Sequence, residues 1–316
     1  MFIKKSKKEI RDKLKNNPLE DIDAIKAIEK YFLKKRGYVF KMPQPGESVI
    51  LLLSGGMDSI ILWDILMRKY NLNVYPLFIT EKRGLLRLID NQYRSIQFFE
   101  NYYKKKHLKL FHGQFIIFSG NLLRKEIKQA IVKNPLEILN NIYEDGTVNI
   151  QNYSTTSLLS SLALDYSQLL KVKKNIKIKT IFTGNLANDG EMIQNQTLAS
   201  LRSIMFNLCS ISGDYEKQFT SLFLEKELGF FFGKDIVIKW AKKYNIPIIK
   251  TWTCWKRNNL FPCGVCVTCS YRKSVMEQEG VKDTLYNDYI VDRLLTVVGR
   301  IFRIKDKLLT LFKDKI

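Results

Sequence analysis

Short unbroken apolar runs alternate along this chain with stretches of helical spacing, and their order predicts an α/β fold. Val49 to Leu53 is an apolar run that stops at Gly55 and Gly56, and Ile60, Ile61, Trp63, Ile65 and Leu66 follow at helical spacing. Val74 to Ile79 is a second run, after the turn Asn71-Leu72-Asn73. A strand–helix–strand order with this connection length predicts a parallel crossover, with ligands beyond the carboxyl ends of the strands. Thr80, Glu81, Lys82 and Arg83 then stand at the mouth of a site.

The same patterning places a helix over 87–105 and strands at Leu108–Phe111 and Phe115–Phe118. It places a helix over Ser157–Leu170, a strand over Ile176–Thr183, mostly helix around an irregular centre in 192–229, a helix from about Lys234 to Tyr244, and a strand at Ile246–Ile249. Residues 119–150 are polar, rich in Asn, and read as an insertion. Before the first strand, Ile10 and Leu14, then Ile22, Ile25, Ile28, Phe32 and Leu33, predict two short helices that end in the linker Pro43–Gly46. From 284 onward Ile290, Leu294, Leu295, Val298, Ile301 and Phe302 share one face of an amphipathic helix. Packing on the protein's own core is the expected use of that face, ahead of a partner or a membrane surface. The organisation expected is a basic helical extension over 1–46, a main domain over 47–283 and this helix over 284–316.

With 316 residues and 46% hydrophobic content, the chain can bury a real core. No apolar run reaches membrane-spanning length and no apolar segment follows the N-terminal charges, so a cytoplasmic protein is expected. Four of the five cysteines are clustered, which suits a metal site better than a disulfide framework. The net charge of +21 admits a nucleic-acid partner and, equally, a chain that uses Lys heavily throughout. His107 and His112, each isolated, read as ordinary surface or core residues, and Cys209 among apolar neighbours reads as a buried thiol.

The chemistry is concentrated in Ser54-Gly55-Gly56-Met57-Asp58-Ser59. Two glycines let an anion approach the main chain. The first helical turn, roughly Met57 to Ile60, aims free N–H groups at the same spot, where the helix dipole favours negative charge. Ser54 and Ser59 add hydroxyls. Asp58 would repel phosphates unless a cation stood between, so it reads as a Mg²⁺ ligand, direct or through water. No Lys follows the glycines, which excludes a Walker A loop. Asp189 and Glu191, just past the strand that ends at Gly184, form a carboxylate pair open to a metal, a substrate or plain solvation. Cys254, Cys263, Cys266 and Cys269 are spaced C-x8-C-x2-C-x2-C, which suits a closed structural Zn²⁺ site, with an iron–sulfur cluster as the chemical alternative.

The Ser-Gly-Gly-x-Asp-Ser loop resembles that of the PP-loop ATP pyrophosphatases, which cut ATP between the α- and β-phosphates to adenylate a substrate. With Thr251-Trp252-Thr253-Cys254 and Pro262-Cys263-Gly264-Val265-Cys266-Val267-Thr268-Cys269-Ser270-Tyr271-Arg272, the chain resembles the QueC family of 7-cyano-7-deazaguanine synthases. The resemblance covers about 47–283. It implies a parallel-sheet, Rossmann-like adenine-nucleotide hydrolase fold with a C-terminal Cys₄ knuckle. It matches the family's Gly-x4-Asp to Gly184 and Asp189, as nucleotide-binding residues, and its Lys before a late helix to Lys234. It implies ATP, Mg²⁺ and Zn²⁺ as cofactors, a deazapurine carboxylate as substrate, and a homodimer as the candidate assembly. Asp58, Ser59 and Lys234 are the catalytic candidates.

The chain departs from the family in the substrate half. The family's Asp-Tyr-Gly-Gln is Ile79-Thr80-Glu81-Lys82, its Val-Pro-x-Arg-Asn is Asn152 to Thr156 without the Arg, and its Tyr-Pro-Asp is missing around Ile193-Gln194-Asn195. QueC-like proteins with altered pockets occur in antiphage operons, where the activated group is passed to another amine. Amide or nitrile formation and conjugation to a protein or nucleic-acid acceptor therefore stand side by side. A tRNA-modifying PP-loop enzyme and a non-catalytic nucleotide-binding relative are the alternatives.

Overall fold

The computed structural model describes residues 7–81, 91–106, 108, 114–118, 155–191, 193–226, 232–254 and 261–286. Two helices come first, α1 (Lys7–Asn16) and α2 (Ile22–Arg36), followed by β1 (Ser48–Leu52), α3 (Met57–Arg68), β2 (Asn73–Glu81), α4 (Asn91–Lys105) and β3 (Gln114–Phe118). Next are α5 (Thr155–Lys174), β4 (Thr180–Phe182), α6 (Leu198–Ser212), β5 (Gln218–Thr220), α7 (Lys234–Lys243) and α8 (Val267–Gln278).

The strands make one parallel sheet in the order β3-β2-β1-β4-β5. The chain builds outward from β1 to β3, then returns to the other side of β1 for β4 and β5. The order reverses between β1 and β4, so their carboxyl ends open a crevice there. Strand β1 is buried on both faces. Val49 and Leu51 face one core layer with α3, α4 and α7, while Ile50 and Leu52 face another with α2, α5 and α6. Helix α3 is apolar nearly all round and buried, as a helix between a sheet and a second helix layer must be. Its one buried carboxylate, Asp64, is held by Arg68 and by the Trp240 indole N–H at 2.8 Å.

The two N-terminal helices lie on the core. Ile10, Ile25 and Phe32 join the second layer. Asp21 caps α2 by accepting from the backbone N–H groups of Asp23 and Ala24, and Gly37 ends it at φ +80°.

Several sequence expectations are corrected. Ile246–Ile249 is no strand, since Ile248–Lys250 is a turn of 3₁₀ helix, where Pro247 supplies no N–H to a ladder. The strand expected over Ile176–Thr183 is confined to Thr180–Phe182. In 192–229 the irregular centre hides β5, whose three residues are too short to show a period. Lys82, Arg83, His107, His112, the insertion 119–150, Asn152–Ser154 and the tail beyond Tyr286 lie outside the described residues. Among the described residues no helix is long and apolar enough to cross a membrane.

Candidate active site

The glycine loop leaves the carboxyl end of β1 at the point where the strand order reverses. Gly55 has φ +76°, and a Cβ there would meet the Gln92 carbonyl oxygen at 2.3 Å. The position is closed to any side chain on both counts. The Gly55 carbonyl accepts from Ser95 Oγ at 2.9 Å and from the Trp252 backbone N–H at 3.0 Å. Two distant segments thus hold the loop. Inside it, Ser54 Oγ and Ser59 Oγ lie 3.0 Å apart, and Ser59 Oγ donates to the Gly56 carbonyl at 3.1 Å. The Ser59 hydroxyl, read from sequence as a ligand donor, here braces the loop. The Ile60 N–H is taken by Gly56 O, whereas those of Met57, Asp58 and Ser59 begin the helix with no intrahelical acceptor.

Gly184, just past β4, earns its place by close approach. A Cβ there would stand 2.9 Å from Ser59 Cα. Gly184→Ala must push the start of α3 away from β4, so we expect about 1–3 kcal/mol of lost stability, read by urea unfolding, with weakened nucleotide binding.

Asp58, Asp189 and Lys234 come from three separate segments and meet beside the loop. Lys234 opens α7 with its ammonium 3.3 Å from Asp58 Oδ2 and 4.8 Å from the Tyr271 ring centre. Burial draws that ammonium down, but Asp58, Asp189 and Tyr271 together hold it above its ordinary value. Asp189 is partly buried, with Oδ2 accepting from the Leu186 N–H at 2.7 Å. Burial first, and then Asp58, push its carboxyl up to about 6, against the pull of Lys234. Glu191, the other half of the expected carboxylate pair, is exposed to solvent, so Asp189 partners Asp58 in its place.

Two carboxylates and one ammonium leave a net negative charge. Asp58 Oδ1 is buried with no hydrogen-bond partner among the described residues. A buried carboxylate oxygen left without a donor fits a hard cation, as Mg²⁺ requires.

A raised Asp189 has a stability consequence. The folded chain binds its proton more tightly than the unfolded chain does. Stability therefore falls as pH rises from the ordinary carboxylate range, near 3.8, to about 6. Asp189→Asn keeps an acceptor for Leu186 and removes the titration. In metal-free, nucleotide-free protein, its melting temperature relative to the parent should climb across that window and level off above it. A pH-independent difference would show that Asp189 ionises freely.

The four cysteines converge as well. Their sulfurs all lie within 4.8 Å of one another. Cys254–Cys263, Cys263–Cys269 and Cys266–Cys269 are 3.5, 3.8 and 3.3 Å apart. A Zn–S bond of about 2.3 Å sets tetrahedral sulfurs about 3.8 Å apart, so the cage is sized for a single ion. The backbone N–H groups of Cys263 and Cys266 point at the sulfurs of Cys254 and Cys263. Arg272, fully buried, donates to Thr251, Thr253 and Ile248 and pairs with Asp283, fixing the segment that carries Cys254. Trp252 packs on the cysteines and hands its N–H to Gly55.

Ser95, Trp252 and Tyr271 were not singled out from sequence. Tyr271 and Trp252 lie inside the motifs that hold the cysteines, which was the available signal. Ser95 looks like any polar position on an amphipathic helix.

A model of the family described as queuosine biosynthesis protein QueC matches residues 48–280. The 7-cyano-7-deazaguanine synthase of Sulfurihydrogenibium sp. (strain YO3AOP1) is 27% identical over 244 residues, covering 73% of this chain and 95% of that protein. The enzyme of the same name from Nautilia profundicola is 40% identical over 52 residues, 16% of this chain and 23% of that protein. Among solved structures, the U34-tRNA thiolase NcsA from Methanococcus maripaludis, with its [4Fe-4S] cluster, is 15% identical over 86% of this chain and 79% of that one. Its TM-score of 0.32 is too low to bear on chemistry. The family match spans most of the chain and includes both the glycine loop and the cysteine cage: the protein belongs to the QueC family.

Proposed function

We propose that this protein uses ATP to adenylate the carboxylate of a 7-deazaguanine, and that an amine then displaces AMP. The observation that carries this is the meeting of Asp58, Asp189 and Lys234 beside the three free N–H groups of Met57, Asp58 and Ser59. A carboxylate oxygen attacks the α-phosphorus and pyrophosphate leaves. The N–H groups and the Lys234 ammonium take up the charge that grows on pyrophosphate. Mg²⁺ held at Asp58 and Asp189 would neutralise charge between these carboxylates and the phosphates. Attack of the amine on the acyl adenylate gives an amide and frees AMP. The cysteine cage has all its positions filled by sulfur and leaves none for water, so its ion is assigned a structural role.

The acceptor is the finer question. Thr80 and Glu81 end β2 where the family carries Asp-Tyr-Gly-Gln, which favours an amine other than ammonia, as in antiphage conjugation. Incubation with ATP, Mg²⁺, ammonium and 7-carboxy-7-deazaguanine, read by mass spectrometry, tests both levels. Amide or nitrile with AMP and pyrophosphate is expected if ammonia is the acceptor. A trapped adenylate without amide assigns a macromolecular amine. No ATP cleavage with this carboxylate overturns the substrate and turns attention to tRNA.

A further inference from the structure

The opposite end of the sheet carries a surface that the ATP chemistry does not use. The amino ends of β4 and β5, the last turns of α2 and α5, and the end of α6 all meet there. Hydrogen bonds and ion pairs join them into one face. Arg36 donates to the carbonyls of Tyr215 and Lys217. Lys217 Nζ donates to Ile178 O, between Lys177 and Lys179. Glu216 binds both Tyr38 and Lys179.

The face is basic. Lys34, Lys35, Lys171, Lys173, Lys174 and Lys177 are exposed, and none has an ion-pair partner among the described residues. The face's carboxylates are occupied, Glu216 by Tyr38 and Lys179, and Asp214 by the Glu216 N–H. It also carries aromatic rings where solvation would favour none. Tyr31 and Phe206 are each 37% exposed and pack edge to face at 5.2 Å, Tyr215 lies 5.9 Å from Tyr31, and Lys35 sits over the Tyr215 ring. Leu33 and Ile211 extend the apolar part, at 54% and 60% exposed. A second copy of so basic a face would be repelled. An anionic chain with flat apolar groups matches both halves, since cations track a phosphate backbone while aromatic rings stack with unpaired bases. Part of the face comes from α2, which lies before the stretch that the QueC model matches.

We propose that this face binds single-stranded nucleic acid, with the lysines on the phosphates and Tyr31 and Phe206 against the bases. The site is separate from the adenylation centre and needs nothing of it.

Fluorescence anisotropy of a labelled oligothymidylate with the full chain tests this. Lys34→Gln, Lys171→Gln, Lys173→Gln, Lys174→Gln and Lys177→Gln are combined in one variant. Its affinity should fall at least ~10-fold, and the slope of log K against log salt should shrink by up to about 3.5, at roughly 0.7 per phosphate contact. ATP cleavage and melting temperature should stay those of the parent, because these lysines lie outside the site and hold no ion pair. Tyr31→Leu with Phe206→Leu keeps the apolar packing and removes the rings, and should weaken the single strand roughly tenfold while leaving duplex binding unchanged. The proposal is overturned by an unchanged salt slope in the lysine variant, by single-strand affinity indifferent to the rings, or by binding to phosphatidylserine vesicles with none to the oligonucleotide.

Discussion

Replacing Lys234 by Met should lower ATP cleavage by about 10²–10³-fold, the usual loss for one charge-stabilising donor in a closed site. The stem of Lys234 is buried, and its ammonium is shared between Asp58 and Asp189. Met keeps most of the packing volume and removes only the charge. Pyrophosphate then leaves with its N–H donors but without the cation, so the chemical step suffers more than ATP binding, and kcat falls more than KM rises. ATP–pyrophosphate exchange with the carboxylate substrate reads the step directly. The same variant leaves two carboxylates facing each other, so the Asp189 carboxyl should rise further than its present value of about 6. Its folded form then holds a proton more tightly. The melting-temperature deficit of the variant should be small near pH 4 and grow as pH rises past 6. Added Mg²⁺ should recover part of it by standing in for the lost ammonium. An exchange rate within a few-fold of the parent would reduce Lys234 to a counter-ion.

The reach of sequence reading follows from what each residue needs from its neighbours. The glycine loop was legible because its chemistry is local, with Gly55, Gly56 and Asp58 in one turn after an unmistakable apolar strand. The cysteine cage was legible as a metal site because four cysteines lie at ligand spacing, while the choice of a single ion over a cluster needed the distances between the sulfurs. Lys234 and Gly184 could be named only through resemblance, and Asp189 from the residues only as half of a carboxylate pair, since nothing near them in sequence says that they face Asp58 across the crevice. The Asp189–Glu191 pair was misleading for the same reason. Two carboxylates two apart look like a pair, but a 3₁₀ turn over Ala187–Glu191 sends Glu191 outward. Strand β5 was lost because three residues in a parallel ladder carry no alternation. The basic face was visible only as net charge. Its lysines come from separate stretches of the chain, and only the shared end of the sheet brings them together.

Stripping the metal from the cysteine cage should weaken ATP binding at least ~10-fold, although the cage is no part of the nucleotide site. The coupling runs through the chain itself. Cys254 is two residues from Trp252, whose backbone N–H holds the Gly55 carbonyl, and Gly55 is at a positive φ against Gln92. Without an ion, four thiolates cannot stay within 4.8 Å of one another unprotonated, so the cage opens and Trp252 loses its seat on the cysteines. Gly55 O then keeps only Ser95, and the N–H groups that follow lose their fixed aim. Metal analysis should return one zinc per chain and a colourless protein. Chelation should lower the melting temperature and raise the ATP Kd, and added Zn²⁺ should reverse both. Trp252 fluorescence should track the reloading, since Trp252 shares one buried cluster with the cysteines. Several irons per chain together with acid-labile sulfide would contradict a cage sized for one ion. Full ATP affinity in the stripped protein would mean that Ser95 alone fixes the loop, and the cage would then be a brace for the C-terminal segment only.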